Sequence, residues 1–200
     1  MKKSVVGFIL GSSSPRRIEL LKIQGYRFKI IKPDIAEISH HHETSIHVAL
    51  ANSRAKAVYL SEKNKNGIIL SADTIVVVGG QILGKPKNKK QSLLMLMKLN
   101  NKTHSVITAY TILINKNGRI KIIDEKAVES KVTFGKFTRA EYIKYINSCE
   151  PEDKAGAYAI QGLGARFIKG FRGSYTNIVG LPVFEVMQGL KKAGVEYPWN

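Results

Sequence analysis

"VVGFILGSSSPRRIELLKIQG", Val5 to Gly25, reads as one strand, one corner and one helix. Val5 to Leu10 is an apolar run of strand length, closed by Gly11 and three serines. Pro15 suits the first helical position because its missing N–H is one the helix leaves unpaired, and Ser14 stands where an N-cap belongs. The helix then runs from Arg16 to Gln24 and stops at Gly25, placed as a C′ residue. The corner has a chemical side as well. A helix N-terminus offers unpaired N–H groups and partial positive charge, Gly11 lets backbone approach closely, and Ser12 and Ser13 add donors. Arg16 and Arg17 in the first turn oppose the macrodipole, at a cost of about 0.3 kcal/mol or more each unless an anion arrives. This stretch alone is compatible with a phosphate cradle and with a well-capped surface helix.

Further strands are predicted at Phe28–Ile31, Ile68–Val78, Ser105–Ile114 and Lys121–Phe134. Alternation is clearest in "TAYTILIN", where Ala109, Thr111 and Leu113 face away from Tyr110, Ile112 and Ile114. Asn117-Gly118 and Gly79-Gly80 supply the positive φ of two hairpin turns. Helices are predicted at Ser45 to Leu60, from Asn88 to Leu99, after Thr138 in "RAEYIKYINS", and from Pro182 to near Gly194. Strands and helices alternate without a regular repeat, which points to an α/β fold of mixed α+β character with a mixed sheet. No internal repeat or long linker divides the chain, so residues 1–200 are read as one domain, with room for two lobes around a cleft.

At 44% apolar and 24% charged residues, the composition excludes a disordered chain. No apolar run has the length of a membrane span, and Met1-Lys2-Lys3 with its short apolar successor is read as the start of a buried strand rather than a signal peptide. The single cysteine, Cys149, excludes a disulfide framework, suits a reducing cytoplasm and is expected to be a semi-buried packing residue. The net charge of +17 raises the question of nucleic acid, but 24 lysines against 8 arginines are scattered along the chain. Their densest cluster, Lys85 to Lys90, has no aromatic neighbour on which a base would stack, so a nucleic-acid partner is not expected. His40 to His42, with His47, are read as a solvated loop rather than a metal site, because no acid or cysteine completes a ligand set. His104 is read as a strand residue with a satisfied hydrogen bond. Tyr158 and Tyr175 suit either the core or a stacked base.

The second chemical signal is Asp73, inside "IILSADTIVVV". An ionised carboxylate in a buried strand is costly unless it is paired or binds a metal, so a structural salt bridge and a catalytic group both remain open. Twelve residues on, Lys85 follows Gly84 after a tight turn, and hairpin geometry is expected to bring it back towards Asp73. A carboxylate beside a phosphate-binding cation suits metal-assisted phosphoryl chemistry.

Together "SSSPRRIELL", "PDIAE" (Pro33 to Glu37), "SADTIVVVGGQILGKP", "NNKTHSVITAYTIL", "EPEDKAGAYAIQGLGARFI" and "GSYTNIVGLP" resemble the Maf family of nucleoside triphosphate pyrophosphatases, from about Val6 to Gly194. The resemblance implies a two-lobed fold like that of the inosine-triphosphate pyrophosphatases, with a long mixed sheet and a central cleft, and a role in nucleotide house-cleaning. It implies hydrolysis between the α- and β-phosphates and a homodimer. It assigns Asp73 as the catalytic acid-base group, Glu37 as its acidic companion, and Ser12, Arg17 and Lys85 as phosphate-facing residues. Asp73 and Glu37 are expected to hold Mg²⁺ or Mn²⁺ through hard oxygen ligands. Arg54 stands where the family carries a lysine, so the substrate contact is assigned to Arg54, with Lys56 expected to point elsewhere. Ala159 replaces a usual glycine, a small change unless positive φ is needed there. Arg16, Thr74 and Gln161 resemble the specificity set of the dTTP/UTP branch. The 7-methyl-GTP branch is the alternative within the family, and a non-catalytic nucleic-acid-binding or septum-inhibiting regulator the alternative outside it.

Overall fold

In the computed structural model, residues 7–37 and 44–198 are described, so His40 to His42 and the Val5–Val6 start of the first strand lie outside the described residues. The strands are β1 (Phe8–Gly11), β2 (Lys29–Ile30), β3 (Asn66–Val78), β4 (Gln81–Leu83), β5 (Thr103–Lys116), β6 (Arg119–Phe134) and β7 (Ile168–Arg172). The helices are α1 (Pro15–Ile23), α2 (Ser45–Lys63), α3 (Lys89–Leu99), α4 (Arg139–Ile146), α5 (Tyr175–Val179) and α6 (Val183–Lys192). The seven strands form one mixed sheet in the order β2-β1-β3-β5-β6-β7, with β4 hydrogen-bonded to β3 off that path. No helix among the described residues is long and apolar enough to cross a membrane.

The chain divides into two compact units, and β3, β5 and β6 contribute to both. The first unit comprises Met1–Asp73, Thr108–Val128 and Gly180–Asn200. Here β1 pairs in parallel with β2 on one side (Ile9 opposite Lys29) and with β3 on the other (Leu10 opposite Leu70). The connection to β2 runs through α1 and the connection onward to β3 runs through α2, so the two neighbours of β1 are reached in opposite directions. Such a reversal is where open α/β sheets hold ligands, at the carboxyl ends of the strands. Ile9, Ala57, Leu60, Ile69 and Leu113 pack α2 onto the sheet. At its end α1 closes with Gly25 at φ +80°, the Gly25 N–H on Lys22 O and the Tyr26 N–H on Leu21 O, the bond pair of a Schellman cap. Ser14 occupies the N-cap position of α1 but its hydroxyl caps nothing; Ser12 Oγ instead accepts the Ser14 N–H at 3.2 Å.

The second unit comprises Thr74–Ile107 and Glu129–Val179. Both expected hairpin turns have positive φ at their two central residues, 55° and 76° at Gly79-Gly80 here and 53° and 84° at Asn117-Gly118 in the first unit. Asn88 caps α3 through the Gln91 N–H, and Thr138 forms a capping box with Glu141 at the start of α4. The stretch after α4 was not legible as regular structure. It holds three short 3₁₀ turns, Glu150–Asp153, Ala155–Ala157 and Leu163–Phe167, followed by β7 and α5. A mostly exposed edge strand such as β7 has no buried face to impose alternation on its sequence. Cys149 is exposed, at φ +62°, in the position just ahead of the Glu150–Asp153 3₁₀ turn; the expected packing role does not hold. Ala159 is buried without positive φ, so the departure from glycine costs no backbone strain there.

The core of this unit is aromatic. Phe134, Tyr142, Tyr145, Tyr158 and Phe167 pack with Leu96, Leu99 and Val132. Tyr158 is therefore a core residue, while Tyr175 is exposed with its ring 6.1 Å from that of Phe171. His104 lies in this core with Nε2 2.7 Å from the Tyr158 hydroxyl, and burial lowers its pKa to about 4. Its unfolded value is near 6.5, so between about pH 4 and 6.5 the unfolded chain binds the extra proton, and stability falls as pH drops through that window. We expect His104→Gln to remove up to about 3 kcal/mol of the stability lost between pH 7 and pH 4, by urea denaturation at both pH values. An acid-side slope identical to that of the wild type would assign the loss to other groups.

Candidate active site

The corner after β1 is built on close approach. Gly11 pairs with Ser71, and a Cβ on Gly11 would lie 2.3 Å from Ser71 Oγ and 2.6 Å from Leu60 Cδ1. Only glycine lets β1 lie this near both β3 and α2. The next residue, Ser12, is buried, and its Oγ accepts from Arg17 Nη1 at 3.2 Å. Arg17 Nη1 also donates to Ala72 O at 2.9 Å, and Nε donates to Gly180 O at 2.8 Å. Arg17 thus ties the corner to β3 and to the segment ahead of α6. Burial pushes its guanidinium below the ordinary value, and the nearby charge of Asp73 opposes that shift. Arg16 is half-buried in the same helical turn.

Asp73 is 4% exposed, as a mid-strand position requires. Its Oδ1 accepts from Lys56 Nζ at 2.6 Å and its Oδ2 from Asn52 Nδ2 at 3.2 Å. Lys56 Nζ also donates to Glu37 Oε1 at 2.9 Å, so one ammonium joins the buried carboxylate to a largely exposed one. Two carboxylates that share a cation offer hard oxygens to a divalent ion, as magnesium sites completed by substrate phosphates do. No group of three metal-ligating side chains exists among the described residues.

Lys56 corrects the sequence expectation. The buried face of α2 carries Val48, Ala49, Asn52, Ser53, Ala57 and Leu60, and Lys56 lies four residues after Asn52 on that face. Arg54 falls on the outer face instead and pairs side-on, through Nε and Nη2, with the Glu125 carboxylate, which lifts the arginine's pKa further. Glu125 also accepts from Thr111 Oγ1 at 2.8 Å. The cation beside Asp73 is Lys56, and Arg54 belongs to a separate ion pair. The signal was present in the sequence as the Asn52–Lys56 spacing, an amide and an ammonium at i, i+4 on the helical face that carries Val48, Ala49 and Leu60.

Thr74, Lys85 and Gln161 lie in the second unit. Thr74 is half-buried and directly follows Asp73. The β3–β4 ladder ends with Val76 opposite Leu83, two residues after Thr74 and two before Lys85. Lys85 is exposed, and the preceding Gly84 O accepts the Gly156 N–H at 3.0 Å, which ties the turn to the segment leading to Gln161. Gln161 is exposed just ahead of the third 3₁₀ turn.

Lys56 and Asp73 are both mostly buried, so removing Lys56 strands the Asp73 charge. Lys56→Met is expected to cost about 3 kcal/mol, and the double variant Lys56→Met/Asp73→Asn less than half of that, by urea midpoints. Additive losses would show that the two charges are not coupled.

A family model described as Maf-like protein matches residues 7–193. The chain is 41% identical over 186 residues to a dTTP/UTP pyrophosphatase of Syntrophus aciditrophicus, covering 93% of this chain and 89% of that protein. It is 42% identical over 185 residues to a dTTP/UTP pyrophosphatase of Carboxydothermus hydrogenoformans, covering 92% and 97%. The solved structure of the Staphylococcus aureus Ham1 protein aligns with a TM-score of 0.46 and 13% identity over 94% of this chain and 97% of that one, too distant to bear on function.

Proposed function

Because this chain belongs to the family of Maf-like proteins, we propose that it is a dTTP/UTP pyrophosphatase, releasing the nucleoside monophosphate and pyrophosphate. The observation that carries the reading is the likeness to dTTP/UTP pyrophosphatases, at about two residues in five along more than nine-tenths of the chain. The geometry supplies the chemistry. A triphosphate brings about four negative charges, and a chain of net charge +17 attracts it. Arg17, pinned by Ser12 and two backbone carbonyls, presents a fixed charge at the start of α1, and the exposed Lys85 offers a second.

In this mechanism water attacks the α-phosphorus, the bond from that phosphorus to the oxygen bridging to the β-phosphate breaks, and the water's proton passes to Asp73. Each Asp73 oxygen carries one hydrogen bond in the structure, from Lys56 or from Asn52, and keeps a second lone pair for that proton. Lys56 and Asn52 fix the carboxylate's direction, which is what a general base needs. Asp73 and Glu37 are the residues that would hold Mg²⁺ or Mn²⁺, and the bound ion would neutralise charge on the departing pyrophosphate. Gln161 is assigned to the base, since its amide offers a donor and an acceptor to the O4/N3–H edge shared by uracil and thymine. Arg16 and Thr74 complete the specificity set.

A nucleotide panel with Mg²⁺ or Mn²⁺ tests the reading. Pyrophosphate release should be faster from dTTP and UTP than from CTP, ATP and 7-methyl-GTP, should stop with EDTA, and should fall at least about a hundredfold in Asp73→Asn. Faster turnover of 7-methyl-GTP than of dTTP would refute the base assignment, and full turnover in EDTA the metal. Asp73→Asn should remain folded, because Lys56 keeps Glu37 as its partner.

The homodimer implied by the family resemblance belongs to the same proposal. Light scattering on the purified chain is expected to give twice 22.2 kDa, and a single species at that monomer mass would end it.

A further inference from the structure

The turn Ile160-Gln161-Gly162 in the second unit is gripped on both flanks by one pair of side chains. On its downstream side, Glu150 Oε2 accepts the Leu163 N–H at 2.8 Å and Oε1 accepts the Gly164 N–H at 2.9 Å. Glu150 Oε1 also accepts the Tyr145 hydroxyl at 2.9 Å. On the upstream side, the Tyr145 hydroxyl stands beside the Ala159 backbone, both within 3.0 Å of where a Cβ on Gly164 would lie. A carboxylate therefore binds the backbone just after Gln161, and the phenol it holds stands against the backbone just before. The grip is close: a Cβ on Gly162 would meet Glu150 Oε2 at 2.5 Å, and one on Gly164 would meet Tyr145 Oη at 2.7 Å. Gly162 stands at φ +93°, a conformation that glycine adopts freely.

The aromatic core has its own contacts, with the Tyr145 ring packed against Phe167 at 5.1 Å. What the polar pair fixes is the path of an exposed turn. Charge-assisted hydrogen bonds to two successive N–H groups hold a backbone far more firmly than van der Waals contact does. A glutamine amide discriminates bases only if its donor and acceptor arrive in a set direction, because a loose turn spends the gained contact on ordering itself.

We propose that Glu150, acting with Tyr145, is a positioning residue for base selectivity: it touches no substrate and holds the Gln161 turn in the geometry that reads the base edge. This rests on the pyrophosphatase reading and on the assignment of Gln161 to the base. Glu150→Gln turns one of the two acceptor oxygens into a donor facing an N–H, and Tyr145→Phe removes the upstream hydroxyl while keeping the ring.

The readout is the ratio of kcat/KM for dTTP over CTP, measured in the wild type, Glu150→Gln, Tyr145→Phe, Gln161→Ala and the double variant Glu150→Gln/Gln161→Ala, with thermal unfolding run alongside. The ratio should fall about tenfold in Glu150→Gln, the scale of one buried hydrogen bond, mainly through KM for dTTP. It should fall less in Tyr145→Phe, and no further in the double variant than in Gln161→Ala. If both nucleotides slow by the same factor, or if the two effects on the ratio multiply independently, Glu150 is structural and the proposal is wrong. A wild type without pyrophosphate release overturns the pyrophosphatase reading and this proposal together, whereas an unchanged ratio in active Glu150→Gln overturns this proposal alone. Should Glu150→Gln not fold, an unchanged ratio in Tyr145→Phe overturns it equally.

Discussion

A carboxylate buried in the middle of a strand has to be met by a cation, and the ion pair between Asp73 and Lys56 is the constraint around which the first unit is arranged. Solvation of an unpaired Asp73 would need water deep in the sheet, so α2 must lie at the depth and rotation that deliver Lys56. That placement is set by Ala57, Leu60 and Ile69, and by Gly11, whose missing side chain leaves space for Leu60. Packing and charge thus demand the same position of one helix. Ser53 Oγ and Thr111 Oγ1, 2.9 Å apart, continue that contact between α2 and β5.

The same constraint explains how structural residues and chemical ones come to be neighbours. Parallel pairing of β1 with β3 brings the Ser12 corner alongside Ala72 and Asp73, and Arg17 closes the junction by bonding to Ser12, just past β1, and to Ala72, in the middle of β3. A guanidinium held by two backbone carbonyls is already oriented, so an anion meeting it would order little that was loose. Lys85 and Gln161 carry the opposite character, exposed on turns whose backbones are held from behind, by the Gly84–Gly156 bond for one and by Glu150 for the other. Rigid support under an exposed tip is the usual arrangement for a recognition loop on a fixed scaffold.

Buried polar pairs recur in both units with different outcomes. Asp124 accepts from the Tyr110 hydroxyl and from Lys192, and the two donors hold its pKa below the ordinary carboxylate value although burial pushes the other way. His104 and Tyr158 share one hydrogen bond in an aromatic core with no charge to meet them, so the imidazole stays neutral. The first kind of pair anchors α6 to the sheet. The second stabilises the core only while the histidine is unprotonated.

What the sequence by itself determined was everything governed by near neighbours. Gly25 and Thr138 mark helix ends because cap geometry involves residues within one turn, and Gly79-Gly80 and Asn117-Gly118 mark hairpins because only such pairs tolerate two successive positive φ angles. The burial of Asp73 was equally readable, from the apolar run on either side of it. Its partner was not, because Arg54 and Lys56 are both cations on one helix, and choosing between them requires knowing which face of α2 the sheet covers. The 3₁₀ turns around Glu150 escaped for a related reason: they are held by side chains reaching across 13 or 14 residues, with no period in the local sequence. Tertiary structure decided these points because a charge chooses its partner by distance in space, and helix rotation, not spacing along the chain, sets that distance.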